Sequence, residues 1–365
     1  MKLFEIIEAI EHVAPPALQE DYDNSGLLVG SPQAEIKKAL LTLDTTEAVV
    51  EEAIAEGCDL IISHHPIVFN GLKRLNGSNY VERVVMSTIK NNIAIYACHT
   101  NLDNVLRQGV NIKIASKLGL QETRILKPMQ SALIKMTVFT PHTHADAVRE
   151  ALFAGGAGNV GNYDECSFNI EGKGTFRGSE NTNPVIGTRG ERTTLDEQRI
   201  EVLLPKNRFN EVMKSLRGAH PYEEIAYYAV PLENAWQDAG SGMLGTLEKP
   251  IQGEYFPVYV KECLKADVVR FTRPVEWVKK VAICGGSGAF LIKNALQSGA
   301  DAYITGDVKY HEFFDAESRM MICDPGHYET EQFTVELFAE ILSEKFPNFA
   351  TRFSHTYTNP IQYHY

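Results

Sequence analysis

Two stretches of the chain alternate short apolar runs with amphipathic helical stretches, and this alternation constrains the fold more than any other feature of the sequence. In the first third, apolar runs at 39–43 and 60–63 flank a helical stretch at 47–56. The last third repeats the rhythm from a run at 278–284 to a helical stretch at 331–345. Such alternation is typical of α/β proteins with a mostly parallel sheet. We therefore expect the two outer thirds to form one interrupted, three-layer α/β core domain.

The pattern changes in the middle of the chain. Two units there share a strand, a closing proline and an amphipathic helix, and their strands lie at 133–141 and 199–205. Further strand-like runs at 166–170 and 174–177 follow the first unit and a run at 225–230 follows the second, which gives an order close to βαββαβ, the ferredoxin-like pattern. The alternative is that this segment forms a third layer of a single domain. The predicted domains are the first half of the α/β core at 1–130, an inserted ferredoxin-like α+β domain at 131–231, and the second half of the core at 232–365.

Composition excludes several classes of protein. The 365 residues include 35 Lys and Arg against 47 Asp and Glu, a formal net charge of −12, and 44% of the residues are hydrophobic. This composition is that of a globular chain, and no basic cluster interleaved with aromatics favours nucleic acid as a partner. No apolar run reaches the roughly 18 residues of a membrane span. The six cysteines are scattered without a CxxC pair, which favours buried thiols in a reducing, cytoplasmic compartment.

Histidine and carboxylate side chains follow three of the strand-like runs. They are His64 and His65 after the run at 60–63, Asp103 after the run at 93–98, and His327 and Glu331 after the run at 320–323. Functional groups gather beyond the carboxyl ends of parallel strands, and an i, i+4 spacing places His327 and Glu331 on one helix face. Five ligands exceed what one tetrahedral ion with an open water position needs. They fit two divalent metal ions that share a carboxylate.

Other polar residues near the same edge have less specific interpretations. His99 and His311 are candidate accessory residues that orient a ligand, move a proton or hold substrate, with a structural hydrogen-bonded histidine as the alternative. Asp44 and Asp307 end strand-like runs and are interpreted as helix N-caps, outside the site. The segment at 21–26 is interpreted as an exposed turn.

A glycine-rich turn at 284–288 follows a strand-like run. Its backbone N–H groups are a candidate phosphate cradle, although a tight strand-to-helix turn needs glycine in any case. In the middle segment, the residues at 220–224 carry titratable groups, and a solvated loop is the simpler interpretation.

Several motifs together resemble one family. The strings SHHP at 63–66, HTNLD at 99–103 and GHYETE at 326–331, with DNSGL at 23–27 and CGGSG at 284–288, resemble the NGG-one interacting factor three family. Bacterial members of that family are often labelled GTP cyclohydrolase 1 type 2 homologs. The middle third is similar to the PII/CutA-like insert of the longer bacterial members.

The resemblance implies a specific metal centre and assembly. It implies a dinuclear centre formed by His64, His65, Asp103, His327 and Glu331, with Glu331 as the bridge. It also implies a toroidal homohexamer whose metal sites face an internal cavity.

These observations predict a metal-dependent hydrolase, with enzyme activity itself left open. No GxSxG elbow and no catalytic cysteine signature is present, so a metal-activated water is the expected nucleophile. The expected cofactors are two divalent ions per chain, zinc, iron or manganese, and the expected partners are a small-molecule substrate or effector and further copies of the chain. Two such ions add +4 locally, so the acidic net charge does not exclude an anionic substrate such as GTP. The alternative is a metal-binding assembly, chaperone-like or sensor protein with an effector-binding insert.

Overall fold

A computed structural model describes residues 1–364 and divides them into two compact units. The outer unit contains Met1–Pro128 and the chain from Asp238 onward, and the inner unit is Met129–Gln237. The predicted insert at 131–231 lies within the inner unit. Both units combine helices with sheets, which confirms the α/β class.

The described residues form short helices and strands in alternation. The α-helices are α1 Leu3–Val13, α2 Glu47–Ala55, α3 Tyr80–Lys90, α4 Thr100–Asp103, α5 Val110–Lys117, α6 Ala145–Ala154, α7 Phe209–Ala219, α8 Phe256–Leu264, α9 Ile292–Gln297, α10 His327–Glu331 and α11 Thr334–Lys345. The strands are β1 Gly26–Val29, β2 Lys38–Thr42, β3 Leu60–Ser63, β4 Ala94–Ala97, β5 Leu120–Met129, β6 Leu133–Pro141, β7 Ser167–Arg177, β8 Arg192–Pro205, β9 Tyr227–Leu232, β10 Trp236–Gln252, β11 Arg270–Phe271, β12 Trp277–Ser287, β13 Ala302–Gly306, β14 Met321–Asp324 and β15 Ala350–Phe353. Among residues 1–364, no helix has the length and apolarity needed to cross a bilayer.

The first sheet of the outer unit has the strand order β1-β4-β3-β2-β15. Strands β15, β2, β3 and β4 are parallel, and β1 pairs with β4 in the antiparallel sense. Every residue of β3 and β4 is buried, as expected for parallel strands that are covered on both faces. The carboxyl ends of β3 and β4 therefore lie side by side.

The second sheet has the order β11-β14-β13-β12-β10-β5. Its centre, β12 to β14, is parallel, while β10 and β11 pair in the antiparallel sense. The outer thirds thus form two sheets, where the sequence had predicted one mostly parallel sheet. One edge of each sheet is a short, exposed strand. This strand is β15 in the first sheet and the two-residue β11 in the second.

Each sheet of the outer unit packs against its own apolar cluster. In the first sheet, α2 and α3 cover the strands, and the cluster contains Leu40, Val50, Ile61, Val84 and Ile95. Helix α2 begins where the Thr46 hydroxyl accepts a hydrogen bond from the backbone N–H of Val49, a favourable N-cap. In the second sheet, α9 supplies apolar side chains to a cluster that contains Ala282, Ile292, Ala295, Tyr303 and Ile322.

The inner unit has the element order β6-α6-β7-β8-α7-β9. Its sheet order is β7-β8-β6-β9, and every adjacent pair is antiparallel. Alternate residues of β6 and β8 are buried against α6 and α7, which is the period-2 pattern of a sheet covered on one face. The runs predicted at 166–170 and 174–177 are one strand, β7, because its ladder with β8 continues to Arg177 and Arg192.

Candidate metal centre

The structure brings His64, His65, Asp103, His327 and Glu331 together in the outer unit. Strand β3 ends one residue before His64, and α4, which follows β4, ends at Asp103. His327 is the first residue of α10 and Glu331 is the last, so one short helix after β14 carries both. Strand ends of both sheets therefore contribute to one cluster.

Glu331 lies at the centre of this cluster. Its Oε2 atom is 3.0 Å from Nε2 of His65 and 3.0 Å from Nε2 of His327, and its Oε1 atom is 3.7 Å from Nε2 of His64. His64 Nε2 is in turn 3.6 Å from Oδ1 of Asp103. Two atoms that each lie about 2.1 Å from one ion at a tetrahedral angle are about 3.4 Å apart. The observed separations fit atoms that share metal ions.

Three buried polar atoms in this cluster have no hydrogen-bond partner among residues 1–364: His64 Nε2, Asp103 Oδ1 and Glu331 Oε2. A buried polar atom without a partner costs about 1–3 kcal/mol, and more when it is charged. A divalent cation between His64 Nε2 and Asp103 Oδ1, and a second beside Glu331 Oε2, would satisfy these atoms. The donors, imidazole nitrogen and carboxylate oxygen, are also those that zinc and other first-row metals accept, so the residues present fit a metal site.

The imidazoles of His64 and His65 are oriented by partners on the opposite side of each ring. His64 Nδ1 is 2.9 Å from the Cys98 carbonyl oxygen, and His65 Nδ1 is 2.7 Å from Oδ1 of Asp44. A hydrogen bond at Nδ1 fixes the tautomer that leaves Nε2 free to bind a metal. Both rings therefore present Nε2 to the centre.

His327 is oriented in the same way, by Asp307. The distance between His327 Nδ1 and Asp307 Oδ2 is 2.7 Å. The interpretation of Asp44 and Asp307 as N-caps was wrong, since Thr46 caps α2 and the next 3-10 helix begins after Lys309. Their role depends on ring orientation, which strand-end spacing does not reveal.

His99 is held by a buried carboxylate. Its Nδ1 atom is 2.8 Å from Oδ1 of Asp23, whose side chain is fully buried, and Asp23 Oδ2 also accepts hydrogen bonds from the Thr100 backbone N–H and the Ser25 hydroxyl. Burial opposes ionisation of Asp23, but His99 and these donors lower its pKa. The exposed-turn interpretation is therefore wrong at Asp23, because its partners His99 and Thr100 are 76 and 77 residues away in the sequence.

The two candidate accessory histidines occupy different places. A ligand atom of His99 lies within 4.8 Å of those of His64 and His65, which adds His99 to the cluster. His311 is exposed on the 3-10 helix Tyr310–Ala316, and the structure does not bring it to the cluster.

The cluster carries strong local charges. Burial alone would lower the pKa of His65, but the charge of Glu331 and the hydrogen bond to Asp44 raise it to about 10. Burial and the charge of Glu331 together raise the pKa of Asp103 to about 7. Burial would raise the pKa of Glu331, and the neighbouring imidazoles of His327 and His65 hold it well below its usual range. The carboxylates therefore favour positive charge at this point, either protons or cations.

The glycine-rich turn at 284–288 packs against the cluster and is not a phosphate cradle. Three of its backbone N–H groups donate to side-chain oxygens: Gly285 to Asn111, Gly286 to Thr330 and Gly288 to Thr305. Gly286 has a φ of +60°, and a Cβ atom there would lie 2.2 Å from Oε1 of Glu331. Glycine is needed at this position because the Glu331 carboxylate approaches so closely.

A cavity of about 580 Å³ opens onto the cluster. Its lining includes four of the candidate ligands, His65, Asp103, His327 and Glu331, and several aromatic side chains, among them Tyr22, Phe69 and Phe290. A pocket of this size accommodates a small organic molecule.

The C-terminal segment forms part of the wall of this cavity. Thr358 donates a hydrogen bond from Oγ1 to Oδ2 of Asp44 at 2.7 Å, so it supports the carboxylate that orients His65. Asn359 donates from Nδ2 to Oε1 of Glu329 at 3.0 Å and lines the cavity. The sequence offered no signal for this role, because residues 354–364 have no helical or strand periodicity.

An α/β protein in which one carboxylate is shared by two groups of imidazole and acidic ligands is a candidate metalloprotein. Residues 1–360 match the model of the family described as Duf34/NIF3 (NGG1p interacting factor 3), and the chain belongs to this family. The resemblance found in the sequence motifs is thereby confirmed.

Relatives and a solved structure agree with this assignment. The chain is 40% identical over 325 residues to a Halalkalibacterium halodurans protein named GTP cyclohydrolase 1 type 2 homolog, with 88% of this chain and 87% of that protein covered. It is 38% identical over 327 residues to the Bacillus subtilis protein of the same name, covering 89% and 87% of the two chains. A Bacillus cereus protein related to NIF3 has a crystal structure that superposes with a TM-score of 0.86 at 38% identity, covering 100% of this chain and 99% of that one.

Proposed function

We propose that this protein is a metal-dependent hydrolase that activates water at the cluster around Glu331. The observation that carries the proposal is the convergence of three unpartnered buried polar atoms, on His64, Asp103 and Glu331, beside an open cavity. A purely structural metal site is usually closed by protein ligands, whereas a catalytic site keeps a position for water or substrate.

Two divalent ions per chain are the proposed cofactors. His64, Asp103 and Glu331 form one group of ligand atoms, and His65, His327 and Glu331 form the other. Glu331 belongs to both groups, which supports its role as a bridge. Mixed imidazole and carboxylate ligands accept zinc, iron or manganese.

The residues around the ions have separate tasks in the proposed reaction. When bound, the ions would lower the pKa of water so that a nucleophile is available near neutral pH. His99, oriented by Asp23, would hold or move a proton at Nε2. In hydrolysis the water oxygen bonds to the electrophilic carbon, a carbon–nitrogen bond breaks, and the leaving nitrogen takes up the proton. We propose a ring carbon–nitrogen bond because relatives are named GTP cyclohydrolase 1 type 2 homologs.

The inner unit is proposed to be a ferredoxin-like, PII/CutA-like module that binds an effector. The βαββαβ element order and the all-antiparallel sheet support the first part of this proposal. A cavity of about 460 Å³ within the unit supports the second, and its lining includes Tyr222, which donates a hydrogen bond to Glu197 at 2.9 Å. This observation favours a sensor function as the second candidate.

A homohexamer is the proposed assembly. In the inner unit, the sheet face opposite the helices exposes Phe168, Ile170, Tyr228 and Val230. Exposed apolar patches on a sheet face often mark protein–protein contacts, which supports self-association. Light scattering coupled to size-exclusion chromatography tests it, and a monomeric mass would contradict it.

Metal content per chain tests the central proposal. We expect about two ions per chain in the native protein, and fewer in His64→Ala and Glu331→Gln, with a parallel loss of hydrolysis. His311→Ala is the matched control, because it removes an exposed imidazole outside the cluster. Full metal loading without turnover on ring amides, ring amidines and phosphoesters would instead favour the sensor function.

A further inference from the structure

We infer that the cavity beside the cluster selects an uncharged planar ring compound and disfavours polyphosphates. The inference rests on the proposed function, since it names the substrate class of that same site. Four observations on the cavity carry it: its charge, its backbone donors, its aromatic surface and its size.

The charge of the cavity lining does not favour a polyanion. The lining contains five carboxylates, those of Glu20, Asp44, Asp103, Asp307 and Glu331, and no Lys or Arg is among the described lining residues. Two divalent ions contribute +4 and do not neutralise five carboxylates. A nucleoside triphosphate would meet no excess positive charge here.

A lysine close to the cavity, Lys127, already contacts an aromatic ring. Lys127 places its Nζ atom over the ring of Phe290, 5.8 Å from the ring centroid. Phe290 lines the cavity, and Lys127 does not. An ammonium that already contacts an aromatic face attracts an incoming phosphate less strongly than an ammonium without such a contact.

Three backbone N–H groups of the glycine-rich turn are already occupied. The glycine-rich turn lines the cavity, but the N–H groups of Gly285, Gly286 and Gly288 already donate to side-chain oxygens at 2.9–3.0 Å. Phosphate-binding loops work because such N–H groups are free. This turn therefore has no unused donor at these three positions.

Aromatic side chains provide the alternative binding surface. Tyr22 and Phe69 stack with ring centroids 6.4 Å apart and an interplanar angle of 24°, and Phe69 meets His99 edge-on at 6.1 Å. Tyr22 and Phe69 are 64% and 45% exposed although both line the cavity. A flat apolar ring that stacks on this pair would cover the exposed surface.

The size of the cavity agrees with one ring system and a modest substituent. Its volume of about 580 Å³ lies within the range of small-molecule pockets. The ring would stack against Tyr22 and Phe69 while its reacting carbon lies at the Glu331 cluster, beside His99.

The test compares guanosine with GTP, which carry the same ring and differ in charge. Both are titrated by calorimetry into the metal-loaded protein at low salt, and metal content is measured before and after. We expect guanosine to bind at least 10-fold more tightly than GTP. Tyr22→Ala and Phe69→Ala should each weaken guanosine binding about 10-fold, whereas Phe314→Ala, which removes an aromatic ring that is 65% exposed elsewhere, should not.

Two further binding measurements separate the contribution of charge from that of aromatic stacking. Glu20→Gln should raise the affinity for GTP relative to guanosine, because it removes one carboxylate from the lining. Guanosine should still bind protein stripped of metal with a chelator, because the stacking contacts belong to the chain.

Each outcome decides the inference. GTP binding as tight as guanosine, or tighter and weakened by salt, would overturn it, and so would the absence of guanosine binding. Protein that binds guanosine but never holds metal would contradict the hydrolase proposal alone. Protein that holds metal but prefers GTP would contradict the present inference alone.

Discussion

Glu331 shows how much of this centre depends on single side chains. Its carboxylate approaches imidazole nitrogens on three residues, and a glycine opposite makes room for it. Asp44 and Asp307 instead contact the Nδ1 atoms of His65 and His327, on the side of each ring away from Glu331. A substitution at Gly286, which contacts Glu331, should therefore change metal affinity differently from one at Asp44, which orients His65.

Asp44→Asn should weaken metal binding about 10- to 100-fold. The amide that replaces the carboxylate would lose the charge that supports the His65 ring and fixes its tautomer through Nδ1. A competition titration with a coloured chelator measures the change. Asp146→Asn, on an exposed helical side chain, is the matched control, and equal affinity in Asp44→Asn and native protein would contradict the assigned role.

Gly286→Ala should abolish binding of at least one ion. The added Cβ would lie 2.2 Å from Oε1 of Glu331, at a φ of +60°. Gly57→Ala separates the two effects, because Gly57 has a φ of +66° with nothing within 4 Å of a Cβ. Both variants should lose about 1 kcal/mol of stability from backbone strain, but only Gly286→Ala should lose metal, as measured by elemental analysis. Normal metal content in Gly286→Ala would contradict the close approach.

At this scale the sequence predicted the candidate ligands better than their supports. His64 and His65 follow a buried strand. His327 and Glu331 lie four residues apart on one helix. Their convergence follows from α/β topology, which gathers functional groups beyond the carboxyl ends of the strands. The roles of Asp23, Asp44 and Asp307 depend on which nitrogen of each histidine turns inward. That orientation is fixed by tertiary contacts, which local spacing does not encode.

At the level of elements, α2 and the C-terminal segment are joined through Glu52. Its carboxylate accepts hydrogen bonds from the Ser354 hydroxyl, the His355 backbone N–H and the Thr356 hydroxyl. Burial opposes ionisation, yet these donors lower the pKa of Glu52 from 4.5 to about 2. The segment that this carboxylate holds continues into the cavity wall.

Glu52→Gln should reduce the free energy of unfolding near pH 7 by about 1 kcal/mol, a value discounted for solvent exposure. Because the folded-state pKa of Glu52 is depressed, its contribution is complete above pH 4.5 and is lost as the pH falls toward about 2. The difference between native protein and variant, measured by urea unfolding, should therefore shrink between about pH 5 and pH 2. A pH-independent difference would contradict this account.

The predicted elements were accurate where apolar runs are continuous and buried. Residues 60–63 were predicted as a strand and form β3 without change. Strands β5 and β10 were not predicted, since glycines at 240, 242 and 245 interrupt the apolar alternation of β10. Those glycines allow close approach to neighbouring backbone and side chains, which is a tertiary requirement that periodicity cannot show.

For the molecule as a whole, the division into two units suggests that the outer unit can fold without the inner one. The backbone at Gly240 lies against Lys127 and Pro128, since a Cβ at Gly240 would be 2.8 Å from Cα of Pro128. The chain thus leaves and re-enters the outer unit at nearly one point. Each unit also has its own apolar core.

Replacing Met129–Gln237 with a short Gly-Ser linker should leave the metal content of the outer unit unchanged. All candidate ligands lie in the outer unit, and its ends are already close enough for a short connection. Elemental analysis and circular dichroism check the result. Loss of metal from a folded variant would show that the inner unit contributes to the centre.

The candidate ligands span the chain from residue 64 to residue 331, and the wall of the cavity extends to Ile361. During synthesis the amino-terminal residues emerge first, so a nascent chain holds three of the five candidate ligands until His327 and Glu331 have been added. Interrupted products would carry His64 and His65 without Glu331 and would bind metal weakly. Tight metal retention would therefore distinguish chains that include Glu331 from ribosomal fragments that end before it.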